Sequence, residues 1–181
     1  MDFMDISKMR LAVCQFDPKP VEQEKIEKIL EAGRWSPTAV NAQPQRVLIL
    51  NTPENLDKVW EFCTFGYDKK YAEQAQECGD KTHGLFVNYD RTACWHHPQS
   101  GESSGATDAT IVATHMMLEA ASIGLGAVWS GYFGAEKARK MLELPEDWEP
   151  VCMLYIGYLA ADLQPNLHMT GKRYPLDHTC F

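Results

Sequence analysis

Apolar positions at the start of the chain fall at helical spacing: Phe3, Ile6, Met9 and Val13 predict a short amphipathic helix near residues 3–11. The loop Asp17-Pro18-Lys19-Pro20 follows, and Pro20 suits the start of a second helix. There Glu22, Glu24 and Glu27 favour the positive end of the helix dipole, while Ile26, Ile29, Leu30 and Gly33 make one apolar face. Ser36-Pro37 stops it. After a polar loop, Arg46–Asn51 has strand composition, and Pro53 to about Phe62 returns to helical period through Leu56, Val59 and Trp60.

Residues 66–81 are polar and weakly patterned, Leu85–Tyr89 reads as a strand, and Asp90–Gly105 is a turn-rich surface excursion. The longest helix is predicted over Thr107–Ile123. Its apolar residues Ile111, Met116, Met117, Leu118, Ala120, Ala121 and Ile123 go most of the way round, which predicts burial on nearly all sides. Ala127–Trp129 and Val151–Ile156 read as buried strands, and Ala135–Leu144 as a charged surface helix ended by Pro145. Strands and helices alternate irregularly, which predicts an α+β class. No repeat, low-complexity tract or linker divides the chain, so one domain over residues 1–181 is expected. One small domain has difficulty covering an all-round apolar helix, so a second copy is expected to cover part of it.

Composition narrows the partners. The 181 residues are 45% hydrophobic and 23% charged, with a net charge of −8, a profile that excludes a disordered chain. Excess acid without a basic stripe disfavours nucleic acid and anionic membranes, leaving a small molecule or a protein. No apolar run approaches the roughly 20 residues of a membrane span, and the first ten residues lack a signal-peptide core. The six cysteines are scattered with no C-x-x-C pair, so free thiols and a cytoplasmic location are expected.

Candidate chemistry is sparse. Trp35–Pro44 gathers hydroxyl, amide and backbone donors in one loop, a composition that suits a polar ligand and serves turn formation equally well. Gly124-Leu-Gly-Ala-Val-Trp-Ser-Gly131 would let a ligand approach the backbone, although it follows a helix and is not a G-x-G-x-x-G fingerprint. Arg10 and Lys172-Arg173, from opposite ends of the chain, could converge on a phosphate. Cys94, His96 and His97 are the only tight Cys/His cluster, and without paired ligand spacing no metal is expected there. No G-x-S-x-G, P-loop or H-E-x-x-H is present.

The ordered set of motifs resembles the nitroreductase family of FMN-dependent NAD(P)H oxidoreductases. The resemblance begins at Met1-Asp2-Phe3, Arg10 and Phe16, and is strongest at Arg34-Trp-Ser-Pro-Thr-Ala-Val-Asn-Ala-Gln-Pro44. It resumes at Ser104-Gly105, Asp108–Val112 and His115–Ala121, then runs through Gly124–Gly131, Ile156-Gly-Tyr158 and Lys172–Leu176. Only about Cys63–Gly101 is weakly matched. The resemblance implies a nitroreductase-like α+β fold: a central mixed or antiparallel sheet flanked by helices, in an intertwined homodimer with two FMN sites. By the same resemblance Arg10 and Arg173 bind the FMN phosphate. Pro37, Thr38, Ala39, Asn41 and Gln43 come from the other subunit to the ribityl chain and ring. Trp129, Ser130 and Gly131 form the turn whose backbone N–H groups meet flavin N5 and O4.

Two positions depart from the family pattern near the phosphate: Ala12 where a serine is usual, and Cys14 where a basic residue is usual. At roughly 1.5–3 kcal/mol for each charge-assisted bond, FMN would bind ten- to a hundredfold more weakly, unless Lys69 or Lys70 compensates. The resemblance further implies a ping-pong cycle, in which NADH or NADPH reduces the flavin and a small electron-poor acceptor, nitroaromatic or quinone-like, reoxidises it. No catalytic side chain is expected, since the cofactor carries the chemistry. The alternatives are another flavin reaction on the same fold, such as reductive dehalogenation or flavin fragmentation, and a ligand- or metal-binding dimer without turnover.

Overall fold

The computed structural model describes residues 2–13, 16–63, 83–161 and 173–180. Its elements are α1 (Phe3–Met9), α2 (Gln23–Arg34), a 3-10 turn (Ala39–Asn41), β1 (Gln45–Leu50), α3 (Pro53–Trp60) and β2 (His83–Asp90). After these come α4 (Gly105–Ser122), β3 (Gly126–Ser130), α5 (Ala135–Met141), β4 (Trp148–Gly157) and a second 3-10 turn (Leu176–His178). Each predicted helix and strand is present, with bounds that shift by a few residues. The polar stretch 66–81 lies outside the described residues.

The four strands form one sheet in the order β1-β2-β4-β3, and all three pairings are antiparallel. Side chains alternate between its two faces, as the pleat requires. Leu85, Val87, Cys152, Leu154 and Ile156 point to a core completed by Ile26 and Ile29 of α2 and by Val112 and Met116 of α4. Phe86, Met153 and Tyr155 point to the opposite core, with Leu56 and Val59 of α3 and Ala138 of α5. β4 is therefore apolar at successive positions because both of its faces are covered.

Three expectations are corrected. Val13 is not part of the first helix: a capping box between Asp2 and Asp5 opens α1, Arg10 caps its end, and Ala12 already pairs in parallel with Ala127 beside β3. The second helix starts at Gln23 with Glu22 as its N-cap, beyond Pro20. The long helix is not buried on nearly all sides. Ala109, Ala113, Met116 and Ala120 are fully buried, but Ala106, Thr107, Thr110 and Thr114 are exposed and Ile111 and Leu118 half-buried. A strip of α4 is thus left open by its own chain.

α1 shows the same pattern more strongly. None of its residues is buried, and Phe3, Met4 and Met9 are 68%, 57% and 49% exposed.

A candidate two-part flavin site

The first group of candidate residues is the loop from Ser36 to Gln43, which leaves α2 and enters β1. Buried Ser36 donates its hydroxyl to the Gly33 carbonyl at 2.7 Å, which turns the chain out of the helix. Pro37 is exposed, whereas Thr38 and Ala39 are half-buried. Val40, Asn41 and Gln43 all sit in the left-handed region, at φ 48°, 58° and 52°. For an L-residue this costs roughly 1–2 kcal/mol each, and for β-branched Val40 it is a true outlier. Two bonds bracket the strained stretch. The Ala39 N–H donates to Asp108 Oδ1 at 2.9 Å, and the Gln43 N–H donates to Thr38 Oγ1 at 3.1 Å. The side chains of Asn41 and Gln43 are exposed.

The second group lies along β3. Val13 N–H donates to the Ala127 carbonyl at 3.2 Å, so residues 10–13 run beside the first half of that strand. Arg10 is half-buried. Among the described residues Arg34, Arg46, Arg91 and Arg139 each meet a carboxylate, while Arg10 meets none. A half-buried guanidinium without a carboxylate, in a chain of net charge −8, is suited to an anion from outside. Ala12 is exposed; Cys14 lies outside the described residues, as do Lys69, Lys70 and Lys172.

At the far end of β3, Trp129 is 39% exposed and Ser130 is buried. Ser130 Oγ turns inward to accept from the Cys63 thiol at 3.6 Å, so only its backbone can face a ligand. Cys63 in turn accepts at its carbonyl from the Tyr155 hydroxyl at 3.0 Å and pairs with Phe133, fixing the turn that follows. Burial pushes both the Cys63 thiol and the Tyr155 phenol upward, so both stay protonated at neutral pH. Exposed Gly131 keeps its N–H unbonded among the described residues. A Cβ there would lie 2.7 Å from the Trp129 ring, so glycine lets the indole fold over the turn. Arg173 is exposed, as are Tyr174 and Leu176 beside it.

These two groups are not neighbours. Gln45, where the loop enters β1, lies level with Tyr89 and Glu149, whereas Ala12 lies level with Ala127 and Ile156. Seven steps of β4 separate Glu149 from Ile156, and three strand spacings plus the Ala12 bridge separate the edges. At about 3.4 Å per residue and about 4.8 Å per strand, an untwisted ladder puts Gln45 about 30 Å from Ala12 and about 20 Å from Ser130, which lies level with Met153. The 18-residue α4 gives an independent measure. From Asp108, which holds the loop, to the helix end at Ser122, beyond which the chain leads into β3, the span is about 21 Å at 1.5 Å per residue. One chain therefore keeps the two groups of candidate residues apart, across the sheet.

Sequence reasoning missed Asp108, Ser104, Cys63 and Tyr155 as parts of this arrangement. The available signal for Asp108 was a carboxylate inside an otherwise apolar helix, but an acid in a first turn is already explained by the dipole. The Cys94–His97 cluster lies in a small hairpin in which His96 bridges Ser103. There His97 Nδ1 accepts from the N–H groups of Gln99 and Ser100, at 3.3 and 3.1 Å. No helix among the described residues is long and apolar enough to cross a membrane.

Known proteins match this chain along most of its length. A solved nitroreductase family protein of Clostridium difficile is 30% identical with a TM-score of 0.83, covering 98% of this chain and 96% of its own. A protein of Methanothermobacter thermautotrophicus, provisionally named an NADH dehydrogenase/NAD(P)H nitroreductase, is 27% identical over 88% of this chain and 78% of its own length. The FMN reductase [NAD(P)H] of Bacillus subtilis is also 27% identical, over 82% of this chain and 62% of its own length. The sequence profile of the Nitroreductase family spans residues 8–158. With the antiparallel sheet, the flanking helices and these matches in hand, the chain belongs to the nitroreductase family.

Proposed function

We propose that the chain is an FMN-dependent NAD(P)H oxidoreductase that works as a homodimer, each flavin site joining one corner of one subunit to the opposite corner of the other. The observation that carries this reading is the division of the donor set between two groups about 20–30 Å apart. Neither corner is a complete cofactor site, and a two-fold axis would bring complementary corners together twice. Exposed Phe3, Met4 and Met9 of α1 and exposed Tyr174 and Leu176 supply apolar surface for such a contact, and the open, largely threonine strip of α4 supplies small side chains.

The residues present fit FMN. Arg10 has a guanidinium unspent on any described carboxylate, and with Arg173 it would hold the phosphate. The Gly131 N–H is free to meet the electron-rich edge of the ring. The Ala39–Gln43 turn of the second copy would present Asn41 and Gln43 to the ribityl chain and ring, with Pro37 and Thr38 beside them. Bound FMN supplies the redox chemistry, taking a hydride equivalent from NADH or NADPH and yielding it to an electron-poor acceptor of nitroaromatic or quinone type. The chain's own part is to bind, orient and stabilise charge through fixed N–H donors. No side chain is needed as an acid or base. Ala12 offers no hydroxyl to the phosphate, so binding is expected to be weaker than where a serine stands.

One domain over residues 1–181 and a cytoplasmic setting accord with this reading, the latter with the free thiols Cys63, Cys94, Cys152 and Cys180. The test is the spectrum of the purified protein, loaded with FMN and treated anaerobically with NADH and then NADPH. A yellow dimer bleached by either supports the proposal. Yellow protein that neither bleaches points to a different flavin reaction, and protein that rejects added FMN contradicts the reading.

A further inference from the structure

Asp108 is 2% exposed, in a helix whose other buried residues are apolar or glycine, and no described cation pairs with it. A buried carboxylate is costly unless its oxygens are satisfied. Each oxygen here has one donor, and the two come from different segments. Oδ1 accepts the Ala39 N–H at 2.9 Å, and Oδ2 accepts the Ser104 hydroxyl at 2.7 Å. Ser104 closes the 95–104 hairpin, donating its N–H to the Trp95 carbonyl at 2.9 Å. One carboxylate thus fastens both that hairpin and a loop 69 residues away in sequence.

The loop has need of fastening. Val40 is 75% exposed, so no apolar packing holds it in its left-handed conformation. Inside the stretch the Asn41 and Ala42 N–H groups donate to the Thr38 and Ala39 carbonyls at 3.0 and 2.9 Å, and the Gln43 N–H donates to Thr38 Oγ1. Two bonds tie the turn to side chains outside it: Asp108 accepts from Ala39 at its start, and Arg46 Nη1 donates to the Gln43 carbonyl at its end, at 3.3 Å. From this we infer that Asp108 is a positioning residue of the cofactor site, its buried carboxylate holding the Ala39–Gln43 turn in the conformation that presents Asn41 and Gln43. The identity of the ligand rests on the flavin reading above; the anchoring of the turn does not.

Two measurements separate this role from a general contribution to folding. The first is amide hydrogen exchange of FMN-free protein. In Asp108→Ala the Ala39 amide should exchange at least roughly tenfold faster, while Met153–Ile156 in β4 keep their protection. The second is an FMN titration arranged as a double-mutant cycle with Asn41→Ala. Asp108→Ala alone should weaken FMN about tenfold or more, but less than about threefold once Asn41 is already gone, because both act through one turn. Asp108→Asn retains an acceptor for Ala39 and should restore binding to within about threefold of wild type.

Equal losses in both backgrounds, or unchanged exchange at Ala39, would overturn the inference. Should Asp108→Ala fail to fold, Ser104→Ala carries the same cycle with a smaller effect of the same sign. If wild-type protein binds no FMN, the flavin reading fails, while the exchange measurement still decides the anchor.

Discussion

The two corners differ in how their polar groups are used. In the Ser36–Gln43 corner the backbone is held within the chain, by Ser36 to Gly33, Ala39 to Asp108 and Gln43 to Thr38. In the Arg10–Gly131 group, among the described residues, the Arg10 guanidinium meets no carboxylate and the Gly131 N–H no acceptor. On the proposed reading the first corner acts as a preorganised wall and the second as a set of donors for an anion. Preorganisation matters where shape is recognised, because ordering a loop at the moment of binding would subtract from affinity. Unspent donors matter where charge is recognised, because a group already paired gains little by changing partner.

The largest effect should come from emptying the donor corner. Arg10→Ala with Arg173→Ala removes both proposed phosphate contacts, so FMN affinity should fall by more than about 3 kcal/mol, or over a hundredfold. Calorimetric titration measures it, with circular dichroism verifying that the fold is kept. Retained affinity would mean that the phosphate is held elsewhere.

The same corner can be strengthened. Ala12→Ser adds a hydroxyl beside the proposed phosphate position, and one charge-assisted bond of about 1.5 kcal/mol or more would tighten FMN roughly tenfold. No change would show that the bridge to Ala127 keeps position 12 away from the ligand.

His83, at the start of β2, belongs to neither corner and serves as a control. Burial holds its pKa below the ordinary 6.5, and its Nδ1 has no partner among the described residues. The unfolded chain therefore binds a proton at a pH where the folded one does not. Stability should fall as pH drops through about 6.5 toward the lowered value, and be flat in this respect above it. Thermal midpoints measured from about pH 7.5 to about pH 5.5 should decline less in His83→Gln than in wild type. An equal decline would assign the acid sensitivity to other groups.

The smallest effect belongs to the wall. Val40→Gly relieves left-handed strain but adds freedom to the unfolded chain, so a net stabilisation of about 0.5–1 kcal/mol is expected from chemical denaturation. Destabilisation would mean that the valine side chain is not strained there.

The fold was readable where pattern and burial agree. The short, unbroken apolar run Val151–Ile156 has the length of a strand covered on both faces, and Ile26, Ile29 and Gly33 recur at the spacing of a helix against a core. The two arginines and the polar loop were visible as candidates. What stayed hidden was non-local. Asn41 tolerates left-handed backbone, but Val40 and Gln43 do not signal it, and the Asp108 carboxylate that accepts from Ala39 lies far along the chain. Cys63 looks like any scattered cysteine until the fold places it under Ser130. Apolar content of α4 signalled burial, but not which of its positions its own chain leaves open.

The central claim is that each flavin site is shared between two chains, and a mixed dimer tests it most directly. One chain carries Arg10→Ala and Arg173→Ala, the other Asn41→Ala, and the two are co-expressed with different tags so that the heterodimer can be isolated. Each parent homodimer should be defective at both sites. If the corners meet across the interface, the heterodimer concentrates every substitution in one site and leaves the other intact. It should then bind about one FMN tightly per dimer and recover roughly half of the wild-type NAD(P)H oxidation rate. A heterodimer as empty as both parents would contradict the account, because it would show that these residues do not share a site across the interface.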